Sequence, residues 1–245
     1  MTTIYLDIET IPAQKPELIE LLRDEAETEK AAVAAPGNYK DPAKIQEYVA
    51  EKRAGIDAAF DERYRRTALD GAYGQIAVIG YAIDDLPPVT LYSDHWDKPH
   101  YEAGLLENFN EDLRSVYEKS DKTRPIFAGH NIRDFDLRFL FQRYAVNGVS
   151  PWPFIPLGHD ARYGSYDTML EWAGRGAFVS LDKLCRVFGL PGKSLVNGSL
   201  DGSKVWDFVK AGRILEVADY CKADVERARE IHRRMTFTAC NQMAA

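Results

Sequence analysis

Apolar residues follow three kinds of spacing along this chain, and the order in which they occur predicts the fold class. Thr3 to Glu9 (TIYLDIE) is a short β-branched and aromatic run that stops before Pro12, the pattern of a strand. Gln75 to Ile83 (QIAVIGYAI) is nearly continuous in apolar residues, as in a strand buried on both faces. Pro88 to Ser93 follows the turn Asp84-Asp85-Leu86-Pro87 as its hairpin partner. Tyr101 to Lys119 changes to helical spacing, with Leu105, Leu106, Phe109, Leu113, Val116 and Tyr117 on one face. Pro125 to His130 (PIFAGH) returns to strand, and a helix from about Phe135 to Val146 closes at Asn147-Gly148. Ser150 to Gly164, rich in Pro, Trp and Gly, reads as irregular loop. Ser180 caps a short helix ending at Leu190-Pro191-Gly192, and helices over Ser203 to Ala211 and Arg213 to Met235 complete the chain. The series predicts an α/β fold with one central mixed sheet flanked by helices.

Residues 13–71 differ from the rest: they are rich in charge and alanine and poor in long aliphatic residues. Asp41-Pro42 is a helix start, Asp as N-cap and Pro in the first turn. Ile45, Tyr48, Val49, Lys52, Ile56, Ala59, Phe60 and Tyr64 then recur at helical spacing. The expectation is a helical insertion between the first two strands, within a single domain over residues 1–245.

Composition narrows the function classes. The chain has 45% hydrophobic and 28% charged residues, a globular balance. The longest apolar run, Ile76 to Ile83, contains Gly80 and is far shorter than the roughly 20 residues a membrane-spanning helix needs. The start MTTIYLDIETIP has neither a basic nor an apolar leader region, so a cytoplasmic location is expected. Cys185, Cys221 and Cys240 are odd in number and lack CxxC spacing, which argues against disulfides and zinc and fits a reducing compartment. The formal net charge of −7 excludes a surface coated in positive field, so any nucleic-acid contact is local.

Three acidic pieces carry candidate chemistry. Asp7 and Glu9 stand at i and i+2 of the first strand, so their carboxylates share a face. Adjacent, partly desolvated carboxylates repel one another, and a cation between them relieves that. The second piece is Gly129-His130-Asn131-Ile132-Arg133-Asp134-Phe135-Asp136, at a strand-to-helix junction of the kind where open α/β sheets place their sites. There Asp134 reads as the helix cap, and Asp136 lies beyond it. The third piece is Tyr220-Cys221-Lys222-Ala223-Asp224, whose phenol and carboxylate share a helix face at i and i+4. Four carboxylates without clustered Cys or His favour a hard cation such as Mg²⁺ or Mn²⁺. Two such ions roughly 3.5–4 Å apart can activate water on one side of a phosphodiester and stabilise the leaving oxygen on the other.

In order and spacing these motifs resemble the DEDD exonuclease superfamily in its tyrosine-containing branch. DIETIP, GHNIRDFD and YCKADVERA look like those of stand-alone relatives of the exonuclease domain of family-B DNA polymerases. The resemblance implies a ribonuclease H-like fold and 3′→5′ exonuclease activity that releases nucleoside 5′-monophosphates from single-stranded nucleic acid, DNA preferred. It also implies two divalent cations, with Asp7, Glu9 and Asp224 on the first, Asp7 shared, and Asp136 on the second. Tyr220 would orient the attacking water, and Asn131 and Phe135 would contact the terminal nucleotide or pack beneath it. With no polymerase part following, proofreading in cis is not expected. Two rivals stay open: an RNA 3′→5′ exonuclease, and a catalytically silent single-strand-binding protein of the same fold.

Other signals are weaker. Gly192-Lys193-Ser194 is like the end of a phosphate-binding loop, but Val187 stands where that loop needs glycine, so no nucleotide cofactor is expected. Lys193, Lys204 and Lys210 could add positive charge near a backbone. Trp152, Phe154, Tyr163 and Tyr166 could stack unpaired bases or pack in the core. Asp167 reads as a cap for the helix holding Trp172. The oligomeric state is left open.

Overall fold

The computed structural model describes residues 2–119, 122–192 and 200–238. The chain divides into two compact units, one of Met1–Thr10 with Ile76–Ala245 and one of Ile11–Gln75.

The larger unit is built on a five-stranded sheet. Its strands are β1 (Thr3–Ile11), β2 (Gln75–Ile83), β3 (Val89–Leu91), β4 (Ile126–Gly129) and β5 (Ser165–Asp167), in the spatial order β3-β2-β1-β4-β5. β2 and β3 pair antiparallel, as the predicted hairpin requires, whereas β1 with β4 and β4 with β5 are parallel. The sheet is therefore mixed. In β1 the alternation sorts side chains: Ile4, Leu6 and Ile8 enter the main core, and Tyr5 belongs to a second cluster with Ala82, Ala128 and Val225. Asp7 and Glu9 share the parity of Tyr5. β2 is buried from Ile76 to Ile83, as its unbroken apolar run predicts.

Helix α3 (Tyr101–Lys119) and helix α4 (Asp136–Asn147) supply Leu106, Phe109, Leu113, Leu137, Leu140 and Tyr144 to the main core. α4 ends at Gly148, left-handed at φ 65°, as Asn147-Gly148 predicts. The stretch read as loop after α4 contains a short helix α5 (Ala161–Gly164), and the three-residue strand β5 and helix α6 (Thr168–Ala173) follow. Helix α7 (Leu181–Phe188) starts at the predicted cap, where Ser180 accepts from Lys183 N–H. It ends earlier than predicted, at left-handed Gly189. Helix α8 (Val205–Lys210) precedes the long α9 (Ile214–Met235), which packs against α7 through Leu184, Cys185 and Ile231. α9 also lies close to β2, and Gly80 permits this. A Cβ there would stand 2.6 Å from Cys221 Sγ and 3.1 Å from a Val225 methyl.

The smaller unit contains the helix pair α1 (Pro16–Ala32) and α2 (Pro42–Arg66). Asp41 caps α2 by accepting from Ala43 N–H. The pair is joined by Lys30–Asp57 and Arg63–Glu29, each at 2.6 Å. Its burial is thin: Leu22 and Ala26 are the buried residues of α1, and the predicted α2 stripe reaches at most half-burial.

Candidate active site

The parallel strands β1, β4 and β5 deliver their carboxyl ends to one side of the sheet, where α/β folds place reactive groups. Asp7 and Glu9 leave β1 on the face shared by Tyr5. One carboxylate oxygen from each, together with Cys221 Sγ of α9, lies within 4.8 Å of the others. Asp136 joins from the opposite layer: its Oδ1 accepts the Ile8 N–H at 2.9 Å, and its side chain is 3% exposed. Burial, and next the Asp7 charge, push the Asp136 carboxyl well above the usual carboxylate range, against the pull of the Ile8 N–H.

Tyr220 and Asp224 are both buried on α9. Burial is the main cause of a strongly raised Tyr220 hydroxyl pKa. The charges of Asp224, Glu9 and Asp7 add to it, as does the hydrogen bond the hydroxyl donates to Asp224. Asp224 is also held by Arg227 Nη1 at 2.6 Å, one turn further along the helix. That guanidinium reaches the carbonyls of Pro191 and Gly192 at 3.3 and 3.4 Å. The structure thus brings Asp7, Glu9, Asp136, Tyr220 and Asp224 into one neighbourhood.

The two flanking residues behave differently. Asn131 takes a left-handed backbone at φ 61°, and its N–H donates to Asp167 Oδ1 at 3.0 Å. Phe135 is partly buried against the main core, its ring tilted on Phe139 at 5.7 Å.

Several local expectations need correcting. α4 begins at Asp136 itself, with Phe135 at the N-cap position and no side-chain cap, so Asp134 is not the cap. The loop is instead organised by Asp167, 1% exposed, which accepts from the backbone N–H groups of Asn131, Arg133, Met169 and Leu170. It therefore caps α6 as expected and also pins the turn leading to Asp136. Trp152 is buried and Phe154 partly so; both pack on Tyr117. Tyr166 packs with His232, while Tyr163 is 72% exposed. Lys204 and Lys210 pair with Asp201 and Asp207, and Lys193 lies outside the described residues.

Cys221 and Arg227 are the residues that sequence reasoning passed over. Both sit beside the Tyr-x-x-x-Asp motif, at one residue after the tyrosine and three after the aspartate, and that spacing was the available signal. Burial, and then the Asp7 and Glu9 charges, push the Cys221 thiol well up, and Sγ donates to the Asp7 carbonyl at 3.4 Å. The carboxylate oxygens of Asp7 and Glu9 in this cluster suit a hard divalent cation.

A mixed five-stranded sheet in the order β3-β2-β1-β4-β5, flanked by helices, is the architecture of a ribonuclease H-like fold. Residues 106–240 match the family described as a predicted 3′-5′ exonuclease related to the exonuclease domain of PolB. This stretch exceeds half of the 245 residues, and the chain belongs to that family. Asp136, Tyr220 and Asp224 lie inside the matched stretch, and Asp7 and Glu9 precede it. Among solved structures, the chain is similar to the family B DNA polymerase from the hyperthermophilic archaeon Pyrobaculum calidifontis, with a TM-score of 0.57 and 14% identity. The similarity covers 96% of this chain and 24% of the polymerase, and at that identity it describes the fold. No curated protein matches the chain. Among the described residues, no helix is long and apolar enough to cross a membrane.

Proposed function

We propose that this chain is a divalent-metal-dependent 3′→5′ exonuclease. It acts on 3′ ends of single-stranded nucleic acid, DNA in preference to RNA, and releases nucleoside 5′-monophosphates by a two-metal-ion mechanism. The observation that carries this reading is the convergence of Asp7, Glu9, Asp136 and Asp224, from three separate segments, around Tyr220. Asp7, Glu9 and Asp224 would hold one cation, with Asp7 shared, and Asp136 the second. Bound there, the cations supply Lewis acidity for the attacking water and for the charge that develops on the leaving oxygen.

The chain's own groups divide the remaining work. Tyr220 is kept as a neutral phenol by burial and by the surrounding carboxylates, so it orients a water through a hydrogen bond and does not remove its proton. Arg227 fixes the rotamer of Asp224 and holds its charge in a buried position. Asp167 pins the turn that delivers Asp136, a positioning role exerted through the backbone N–H groups of Asn131 and Arg133. Asn131 and Phe135 flank that turn, where the terminal nucleotide would be met.

The test is digestion of 5′-labelled single-stranded DNA and RNA oligonucleotides with Mg²⁺ or Mn²⁺, with Asp7→Ala run alongside. The expected result is a ladder shortening from the 3′ end, faster on DNA, lost with EDTA and in the variant. Faster shortening of RNA overturns the DNA preference. Full activity in Asp7→Ala, or no cleavage of either strand with either metal, overturns the enzyme reading.

A further inference from the structure

The larger unit holds a cleft of about 740 Å³ whose lining includes Arg133, Arg162 and Arg175 against one acidic residue, Asp134. A chain with net charge −7 that gathers three guanidinium groups in one concavity has a local site for a polyanion. The arginines differ in what already occupies them. Arg133 is committed to the fold: its Nε donates to Ser165 Oγ at 3.0 Å, its Nη2 to Ser165 O at 2.6 Å, and its Nη1 lies 3.6 Å from Glu171. Among the described residues Arg162 and Arg175 form no ion pair, while the neighbouring Arg124 is drawn to Asp160. Arg175 is presented by a tight turn between Gly174 and Gly176, at φ 82° and 76°, which glycine adopts without strain.

Two further observations give the occupant its chemistry. Arg162 Cζ stands over the ring of Tyr163 at 5.9 Å and His159 packs edge-on against that ring, yet the tyrosine is 72% exposed beside the cationic groups. Charge that tracks a backbone next to a ring that stacks bases is what single-stranded nucleic acid requires. Asp134 lines the cleft and stands two residues before Asp136, which accepts from Ile8 N–H.

We infer that this cleft is a second binding site for the substrate strand. Arg162 and Arg175 take backbone phosphates on the 5′ side of the terminal nucleotide, and Tyr163 stacks a base. The direction of the strand rests on the exonuclease reading; the binding does not.

The experiment is a fluorescence-anisotropy titration of the full chain with a 5′-labelled oligothymidylate of about 20 nucleotides, in EDTA, over a series of salt concentrations. The Arg162→Glu/Arg175→Glu variant is compared with wild type and with Arg114→Glu/Lys119→Glu, which makes the same change in net charge elsewhere. The cleft variant is expected to bind about tenfold more weakly, with a salt slope reduced by about 1.4, at roughly 0.7 per lost phosphate contact. Tyr163→Ala weakens binding with the slope unchanged. Equal loss in both charge variants, unchanged affinity in the cleft variant, or no binding by wild type overturns the cleft. Where hydrolysis is measurable, the wild-type advantage for long over trinucleotide substrates in kcat/KM should shrink in the cleft variant. A silent enzyme that still loses affinity supports the cleft and refutes the exonuclease. An active enzyme with an unaltered length preference and affinity does the reverse.

Discussion

Glu102 and Asp136 are equally buried carboxylates in the same unit, at 5% and 3% exposure, yet their surroundings are opposite. Glu102 meets Arg143 in a two-pronged pair at 2.8 and 2.6 Å, and it also accepts from Asn147 and from the Ile76 N–H near the start of β2. Asp136 meets Asp7, whose charge raises its pKa, and accepts the Ile8 N–H. A carboxylate that serves the fold is placed with its counter-charge, which offsets desolvation. One placed among other carboxylates keeps its mutual repulsion until a cation arrives, and that repulsion becomes affinity for the cation.

Neutralising one member of each group should therefore have opposite effects on stability. Asp7→Asn is expected to lower turnover by about 10³-fold or more, because it removes a ligand shared by both proposed cations. The same variant should be about 1 kcal/mol more stable than wild type without metal, since Asp136 loses its charged neighbour. Oligonucleotide digestion and urea unfolding in EDTA read the two arms. A variant that is less stable than wild type would mean that Asp7 serves the fold, as Glu102 does.

Arg143→Met is the converse. It leaves Glu102 buried without its guanidinium and should cost about 3–5 kcal/mol in urea unfolding, with activity per folded molecule kept. Adding Glu102→Gln should recover much of that loss, because no uncompensated charge remains buried. Failure of this rescue would show that packing by Arg143, not charge, was the larger contribution.

How far these sites were legible in the sequence depends on the distance over which each was specified. Asp7 with Glu9 and Tyr220 with Asp224 are set by strand and helix periodicity, so their shared faces could be read directly. β2 and α3 were equally plain, because unbroken or 3.6-spaced apolar runs have few other solutions. β5 was not visible: three residues carry no periodicity, and its partner β4 supplies the hydrogen bonds. The start of α4 near Phe135 was legible but its cap was not, because a distant residue, Asp167, does the work that a local N-cap does elsewhere. The Glu102–Arg143 pair spans two helices and left no local trace. In α2 the stripe was legible but its depth of burial was not, since periodicity reports a face and not what covers it.

A third buried ionisable group sharpens the comparison at the smallest scale. His232 on α9 is partly buried between two tyrosines: its Nδ1 is 3.1 Å from Tyr5 Oη, and the Tyr166 ring packs edge-on with centroids 4.7 Å apart. Burial, and then the Arg233 charge, lower its pKa from the ordinary 6.5, so the folded chain prefers the neutral ring. A depressed folded value means that the stabilisation is complete above pH 6.5 and is lost as pH falls from there through the folded value. After allowance for partial exposure the effect should be about 0.5–1 kcal/mol, or roughly 1–4 °C in Tm for a chain of this size. Melting curves between pH 5 and 8, in EDTA so that the carboxylate cluster contributes equally, should show wild type losing more on acidification than His232→Gln. Parallel curves would mean that protonated His232 is accommodated beside Tyr5 and Tyr166. In that case burial alone would not keep it neutral, and the distinction between matched and unmatched neighbours would apply to the carboxylates only.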